Sequence, residues 1–118
     1  MTVSDFPVDH TDLNHLREQW RLAALEHCRL DDAASRLEEG RSIKLAGLVL
    51  SYVENGSSVA KAQLEAKVSQ DWRTYVRAMH DARRAANDAK IDMQNKDRMY
   101  WQQYQSENNQ RHEFKMTR

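Results

Sequence analysis

Five histidines and one cysteine are the side chains in this sequence best suited to bind a metal ion. No histidine follows a glutamate by three residues, so the paired Glu-x-x-His motifs of helical di-iron sites are absent. The HExxH motif of zinc proteases is absent as well. Asp12 and His15 are the nearest approach and form a single pair, so we predict no metal site and no cofactor. The histidines are His10, His15, His27, His80 and His112.

Cys28 is the only thiol in the chain, which excludes an internal disulfide. Glu26 and His27 precede it directly, but consecutive residues of a helix point in different directions. A catalytic thiol also needs a helix N-terminus or a fixed cation beside it, whereas we expect Cys28 to lie in mid-helix. The sequence further lacks a glycine-rich phosphate loop, a GxSxG motif and an evident pair of catalytic carboxylates. We therefore predict that the protein is not an enzyme.

Charge is balanced overall but is unevenly divided along the chain. Lys and Arg number 18, as do Asp and Glu. Residues 1–54 carry 6 basic and 10 acidic side chains, whereas residues 55–118 carry 12 and 8. The far end of the second half combines basic and aromatic residues, a pattern typical of proteins that bind single-stranded nucleic acid. The candidate contacts there, for nucleic acid or for a protein partner, are Arg98, Trp101, Arg111 and Lys115.

An alternative interpretation of this region is structural. The aromatic residues would then pack between helices, and the basic side chains would only contact solvent or attract the acidic first half of the chain.

Long helices must position these residues. Only 3 Gly and 1 Pro occur, and 31% of the residues are charged, a composition that favours helices over a β-sandwich or barrel. Apolar residues recur at alternating steps of three and four from Leu13 to Leu37, and the helical pattern resumes after Ser69. We predict a loose leader at 1–10, a first helix at about 11–54, a turn at 55–58, a second helix at about 59–107 and a frayed polar tail at 108–118.

Local signals refine these boundaries. Asn55-Gly56 predicts the turn, and Ser57 or Ser58 can cap the helix that follows. Residues 59–68 alternate apolar and polar side chains as a half-buried strand does. They are nevertheless helix-forming types without a partner strand, so we predict a helix there. Ser69 can cap a fresh helix start.

The middle of the predicted first helix has two special features. Gly40 weakens the helix, although one glycine does not force a break. The segment from Ile43 to Val53 is apolar on more than one face, which is typical of a helix covered on most sides. We expect this segment to form the thickest part of the core.

The predicted fold is all-α: a long, coiled-coil-like antiparallel helical hairpin. Two helices bury only a narrow seam, which rarely offsets the conformational entropy lost on folding. Three tryptophans, four tyrosines and five methionines exceed what such a seam can cover. We therefore predict oligomerisation, as a homodimer or higher, into a helical bundle. The alternative is a bent three-helix monomer broken at Gly40.

Short helix-surface motifs extend over most of the chain. They are Leu13-x-x-Leu16-x-x-x-Trp20, Leu37-Glu38-Glu39, Ser58-Val59-Ala60-Lys61-Ala62, Val68-Ser69-Gln70-Asp71-Trp72, Ala85-Ala86-Asn87-x-x-Lys90 and Tyr100-Trp101-Gln102. This combination resembles a set of small uncharacterised proteins of tailed bacteriophages, encoded among early or recombination genes. That set has no assigned activity, so the resemblance implies no catalytic residues. It implies an accessory protein that acts on host or phage factors in the bacterial cytoplasm.

The sequence shows no targeting signal. Its N-terminus lacks a charged segment followed by an apolar run, so we expect no signal peptide. The most apolar window, Ile43 to Val53, has about 11 residues, whereas a membrane-spanning helix needs about 20. We therefore predict a cytoplasmic protein that does not contact a membrane.

The predicted function is that of a non-enzymatic, phage-type accessory protein acting through helical surfaces. Its partners would be itself and an unidentified host or phage protein. The alternative function is a single-stranded nucleic-acid-binding accessory protein of phage recombination. That function would use the basic and aromatic distal part of the second helix.

Overall fold

The computed structural model describes residues 12–116, which form four helices joined by short connections. The helices are α1 (Leu13–Glu39), α2 (Arg41–Glu54), α3 (Val59–Val68) and α4 (Gln70–Met116). No residue in this described range lies in a β-strand, which confirms the all-α prediction. The predicted leader at 1–10 lies outside the described residues, as do residues 11, 117 and 118.

The described residues form two compact units. The central unit comprises residues 29–87, and the terminal unit comprises residues 12–28 and 88–116. Four of the five buried side chains in the central unit are alanines, namely Ala34, Ala62, Ala66 and Ala86, and the fifth is Met79. Those in the terminal unit are Leu16, Ala23 and Tyr100.

Polar contacts between α1 and α4 hold the central unit together. Arg83 forms ion pairs with Asp31 at 2.7 Å and with Glu38 at 2.8 Å. Arg83 reaches back to Asp31, whereas Tyr75, about two turns earlier in α4, contacts Leu37, which lies later in α1. This order of contacts is that of an antiparallel pair of helices. This arrangement confirms the predicted helical hairpin. The hydrogen bonds from Arg83 lower the pKa of the Glu38 carboxyl, and those to Glu38 and Asp31 raise the pKa of Arg83.

The prediction of a single first helix at about 11–54 is wrong, because the helix is interrupted at Gly40. The Tyr75 hydroxyl donates to the carbonyl oxygen of Leu37 at 2.6 Å. In an uninterrupted helix that oxygen accepts the amide of Arg41, so the tyrosine competes with the helical hydrogen bond. Gly40 leaves room for it, since a Cβ at that position would lie 3.0 Å from the Tyr75 oxygen.

Residues 59–68 form helix α3, which confirms the prediction of a helix rather than a strand. Ser58 caps its start, because the serine oxygen accepts the amide of Lys61 at 3.3 Å. The preceding turn is the one predicted from Asn55-Gly56. Gly56 has a φ of 104°, which is the left-handed conformation that glycine adopts at the end of a helix.

The prediction of a single second helix beginning at residue 59 is wrong, because the chain is interrupted at Ser69. The Ser69 hydroxyl donates to the carbonyl of Ala66 at 2.7 Å and accepts the amide of Trp72 at 3.2 Å. One serine therefore closes α3 and caps α4, as its predicted role as a helix cap requires.

The predicted end of the second helix near residue 107 is also wrong. α4 continues to Met116, so the segment predicted as a frayed tail at 108–118 is helical through that residue. Residues 108–116 contain neither glycine nor proline to stop the helix. An ion pair between Glu107 and Arg111, with 3.8 Å between nitrogen and oxygen, joins successive turns there.

The expectation that Ile43 to Val53 forms the thickest part of the core is wrong. α2 contains no buried residue. Ile43 is 76% exposed, and Leu50 is 58% exposed. α2 packs beside α3, its partner across the turn, and much of its apolar surface faces solvent. The apolar residues of α2 therefore form a surface suited to burial, but no other part of the central unit buries it.

Candidate interaction surfaces

An open apolar groove lies between α2 and α3 in the central unit. The α2 wall uses positions i, i+3, i+4, i+7, i+8 and i+11, which share one face of a helix. These residues are Ser42, Leu45, Ala46, Val49, Leu50 and Val53, and α3 contributes Val59, Gln63 and Lys67. The volume of this α2–α3 groove is about 640 Å³.

Large apolar side chains on and beside the α2–α3 groove are exposed to solvent. Within the groove, Leu50 is 58% exposed and Val59 is 60% exposed. On the same two helices, Ile43 is 76% exposed and Leu64 is 70% exposed. An exposed apolar groove of this kind marks a site of interaction with a protein, a ligand or a membrane. No helix among residues 12–116 is long and apolar enough to cross a membrane.

The two ends of the α2–α3 groove carry opposite charges. α2 and α3 are neighbours joined by the turn at 55–58. Glu54 therefore lies at the turn end of the groove, and Lys67 lines the opposite end. Both residues are exposed. Neither forms an ion pair with another residue of the 12–116 range.

The candidate contact residues predicted near the end of α4 are all exposed. Arg98, Trp101, Arg111 and Lys115 fall within an arc of about 140° around the helix, at 100° per residue. They extend over about 26 Å of its length. The structure therefore brings the four residues to one broad face of the helix.

Trp101 is the most distinctive residue of that face. Its ring is 49% exposed, and its centroid lies 5.2 Å from that of Tyr100 and 5.5 Å from that of Tyr104. The interplanar angles, 82° and 73°, are those of edge-to-face packing. Tyr100 in turn accepts a hydrogen bond from Arg17 at 3.2 Å, which raises the pKa of the Arg17 guanidinium. An exposed ring supported in this way can stack with a nucleobase or pack against a protein.

Groups capable of metal or covalent chemistry are scattered in the described chain. Among residues 12–116, no three His, Cys, Asp or Glu side chains converge where a metal ion could bind. Cys28 is exposed on α1 and has no disulfide partner. His10 lies outside the described residues.

Sequence reasoning did not identify the α2–α3 groove as a site. The available signal was the segment from Ile43 to Val53, whose apolar residues extend over more than one helix face. That pattern predicts that the segment is buried, but it does not indicate whether the same chain or a partner buries it.

Comparisons of the chain with family models, with curated proteins and with solved structures gave no match. The two exposed surfaces, on α2–α3 and near the end of α4, are therefore the features on which a functional assignment depends.

Proposed function

We propose that the protein is a non-enzymatic accessory protein that binds another protein through the α2–α3 groove. The observation that supports this proposal most directly is that α2, an apolar helix, has no buried residue. Removing apolar surface from water is favourable by roughly 25 cal/mol per Å². The exposed groove therefore favours association. Ile43 and Leu64 on the same two helices are exposed as well, so the total exposed apolar surface suits a macromolecular partner better than a small ligand.

The geometry of the groove favours a helical segment as the bound element. Its α2 wall extends over about 16 Å from Ser42 to Val53, the length of three helical turns. An amphipathic helix placed along such a wall buries residues at i, i+3, i+4 and i+7 against it. A helix of the partner placed in the groove would thus pack against both α2 and α3.

The resemblance to small proteins of tailed bacteriophages favours a role in the bacterial cytoplasm. The partner would then be a host or phage protein. Self-association, as a homodimer or higher, belongs to the same proposal, because the buried core of the central unit consists mostly of alanines.

Affinity capture from bacterial lysate, with and without phage infection, tests the proposal. We expect the full chain to retain a specific protein, and Leu50→Glu to reduce its recovery at least about tenfold, since a carboxylate is costly to bury in an apolar contact. Ser51→Glu is the matched control, because Ser51 is the next residue of α2, is exposed and does not line the groove. Recovery that is the same for Leu50→Glu and wild type would contradict the proposed site.

A second candidate function is binding of single-stranded nucleic acid near the end of α4. The observation that favours it is the 49% exposure of Trp101, on the same broad face as Arg98, Arg111 and Lys115. Stacking of bases on an aromatic ring within a basic surface is how sequence-tolerant single-strand binders work.

Fluorescence anisotropy with a labelled oligonucleotide tests this second function. We expect Trp101→Ala to weaken binding by about 1–3 kcal/mol if a base stacks on the ring. Affinity should also fall with salt, with a log–log slope of about −0.7 per neutralised phosphate. Leu25→Ala is the control, since Leu25 is 54% exposed on α1 and lies outside the face of α4. No binding at about 50 mM salt, where phosphate contacts are strong, rejects this function.

A further inference from the structure

We infer that the partner that covers the α2–α3 groove is a second copy of this chain, related by a two-fold axis and running antiparallel to the first. The inference rests on the proposed function, because it takes the groove to be a protein-binding surface. It adds the identity of the molecule in the groove and the orientation of that molecule. In the proposed function, a host or phage protein then binds by displacing the second copy from the groove.

The small core of the central unit favours a second copy as the partner. Its five buried side chains comprise four alanines and Met79, and alanine removes little apolar surface from water. Several larger apolar residues of the unit, Leu50 and Val59 among them, remain more than half exposed. A two-fold dimer covers two such grooves in one association step. The second copy is also available wherever the chain is synthesised.

The charges at the two ends of the groove complement each other in an antiparallel dimer. Glu54 lies at the turn end and Lys67 at the other end, and neither has an ion-pair partner among residues 12–116. An antiparallel two-fold arrangement brings Glu54 of each copy to Lys67 of the other, which gives two attractive pairs. A parallel arrangement would bring like charges together at both ends. The charges therefore select the antiparallel arrangement.

The spacing of residues along the α2 wall also suits an antiparallel dimer. With a two-fold axis near its middle, Leu45 of one copy lies opposite Leu50 of the other. Ala46 likewise lies opposite Val49, so a small residue faces a larger one. Four of the five apolar positions of the wall thus have an apolar counterpart, and Val53 lies opposite Ser42 near the edge of the contact. A wall that matches itself in this way suits an isologous interface.

Sedimentation velocity of the purified full chain provides the first test. We expect a reversible monomer–dimer equilibrium between about 1 and 100 µM, the range that a modest interface supports. Leu50→Glu should shift the equilibrium to monomer, whereas Ser51→Glu should not. Circular dichroism of both variants establishes that helix content is retained. A wild-type chain that stays monomeric over this range overturns the inference.

Charge reversal at the two ends of the groove provides the sharper test. Glu54→Lys alone and Lys67→Glu alone should each weaken dimerisation about tenfold, since two attractive pairs become repulsive. Mixing the two variants should restore wild-type affinity, because both pairs in the mixed dimer are again attractive. A parallel dimer behaves differently: each variant alone would match wild type, and the mixture would bind more tightly. That result, or a mixture no tighter than either variant alone, overturns the inference.

These outcomes separate the inference from the proposed function. A chain that is monomeric yet captures a protein in a Leu50-dependent way disproves the second copy as occupant and supports the function. A chain that passes the charge-reversal test but captures no other protein supports the inference and disproves the role in binding a host or phage factor.

Discussion

Replacing Ala66 by glutamate is expected to disrupt the central unit and to lower the free energy of unfolding by at least about 3 kcal/mol. Ala66 lies in α3 and is 0% exposed. A carboxylate at this position has to displace α3 from its neighbours to reach water, or has to lose its charge within the unit. Either outcome costs several times what an ordinary surface substitution costs.

Urea unfolding followed by circular dichroism at the helix band measures this effect. Ala60→Glu is the matched control, because it places the same side chain in the same helix at an exposed position. We expect that control to change the free energy of unfolding by no more than about 0.5 kcal/mol. The second residue of a helix also accommodates a negative charge well. Equal stability of the two variants would mean that α3 is not packed as described.

Tyr100→Ala is expected to cost about 3–5 kcal/mol, the range for removing a large buried aromatic side chain. Tyr100 is 7% exposed and is the largest buried side chain of the terminal unit. Its ring contacts Trp20 across the helix pair, with 5.9 Å between centroids, and both Trp101 and Tyr104 along α4. Removing the Tyr100 ring leaves a cavity that is lined by these aromatic residues.

Tyr100→Phe separates the role of the ring from that of the hydroxyl. The phenylalanine keeps the ring contacts and loses only the hydrogen bond from Arg17, which is an exposed side chain. We therefore expect Tyr100→Phe to be much closer to wild type than Tyr100→Ala. Tryptophan fluorescence during urea unfolding reports directly on this cluster. Similar losses in the two variants would show that the hydroxyl, rather than the packed ring, stabilises the terminal unit.

The elements of the fold that are determined locally could be predicted from the sequence. The alternation of apolar residues in α1 indicates one helical face. The turn at Asn55-Gly56 and the caps at Ser58 and Ser69 depend on residues within three or four positions of each other. Such features require no knowledge of the rest of the chain, and the structure confirms them.

The interruption at Gly40 could not be predicted in the same way. Its partner is Tyr75, which is separated from Leu37 by 38 positions in sequence. A glycine within a helical pattern is compatible with a continuous helix. The helix is interrupted because the Tyr75 hydroxyl hydrogen-bonds to the Leu37 carbonyl. This contact is distant in sequence, so no local sequence pattern predicts it.

The candidate sites were predictable only in part, because an apolar pattern indicates burial but not its source. The apolar segment from Ile43 to Val53 predicts core, yet it contributes one wall of the α2–α3 groove. Trp101, one of the candidate contacts, is 49% exposed. Its exposure follows from position, since Tyr100, the preceding residue, points into the terminal unit and the next residue is rotated by about 100°.

The contact between Gly40 and Tyr75 has a consequence for how this sequence can change by mutation. A side chain at position 40 would meet the Tyr75 oxygen at 3.0 Å, so alanine there is unfavourable while the tyrosine keeps its hydrogen bond to Leu37. Loss of the hydroxyl first, as in Tyr75→Phe, removes the nearer of two close contacts, the other being the Arg36 carbonyl oxygen at 3.2 Å. It also frees the Leu37 carbonyl for a helical hydrogen bond. The effects of the two substitutions therefore depend on their order, which is epistasis between positions 40 and 75. A lineage that evolves a continuous helix from α1 and α2 has an easier path if position 75 changes before position 40.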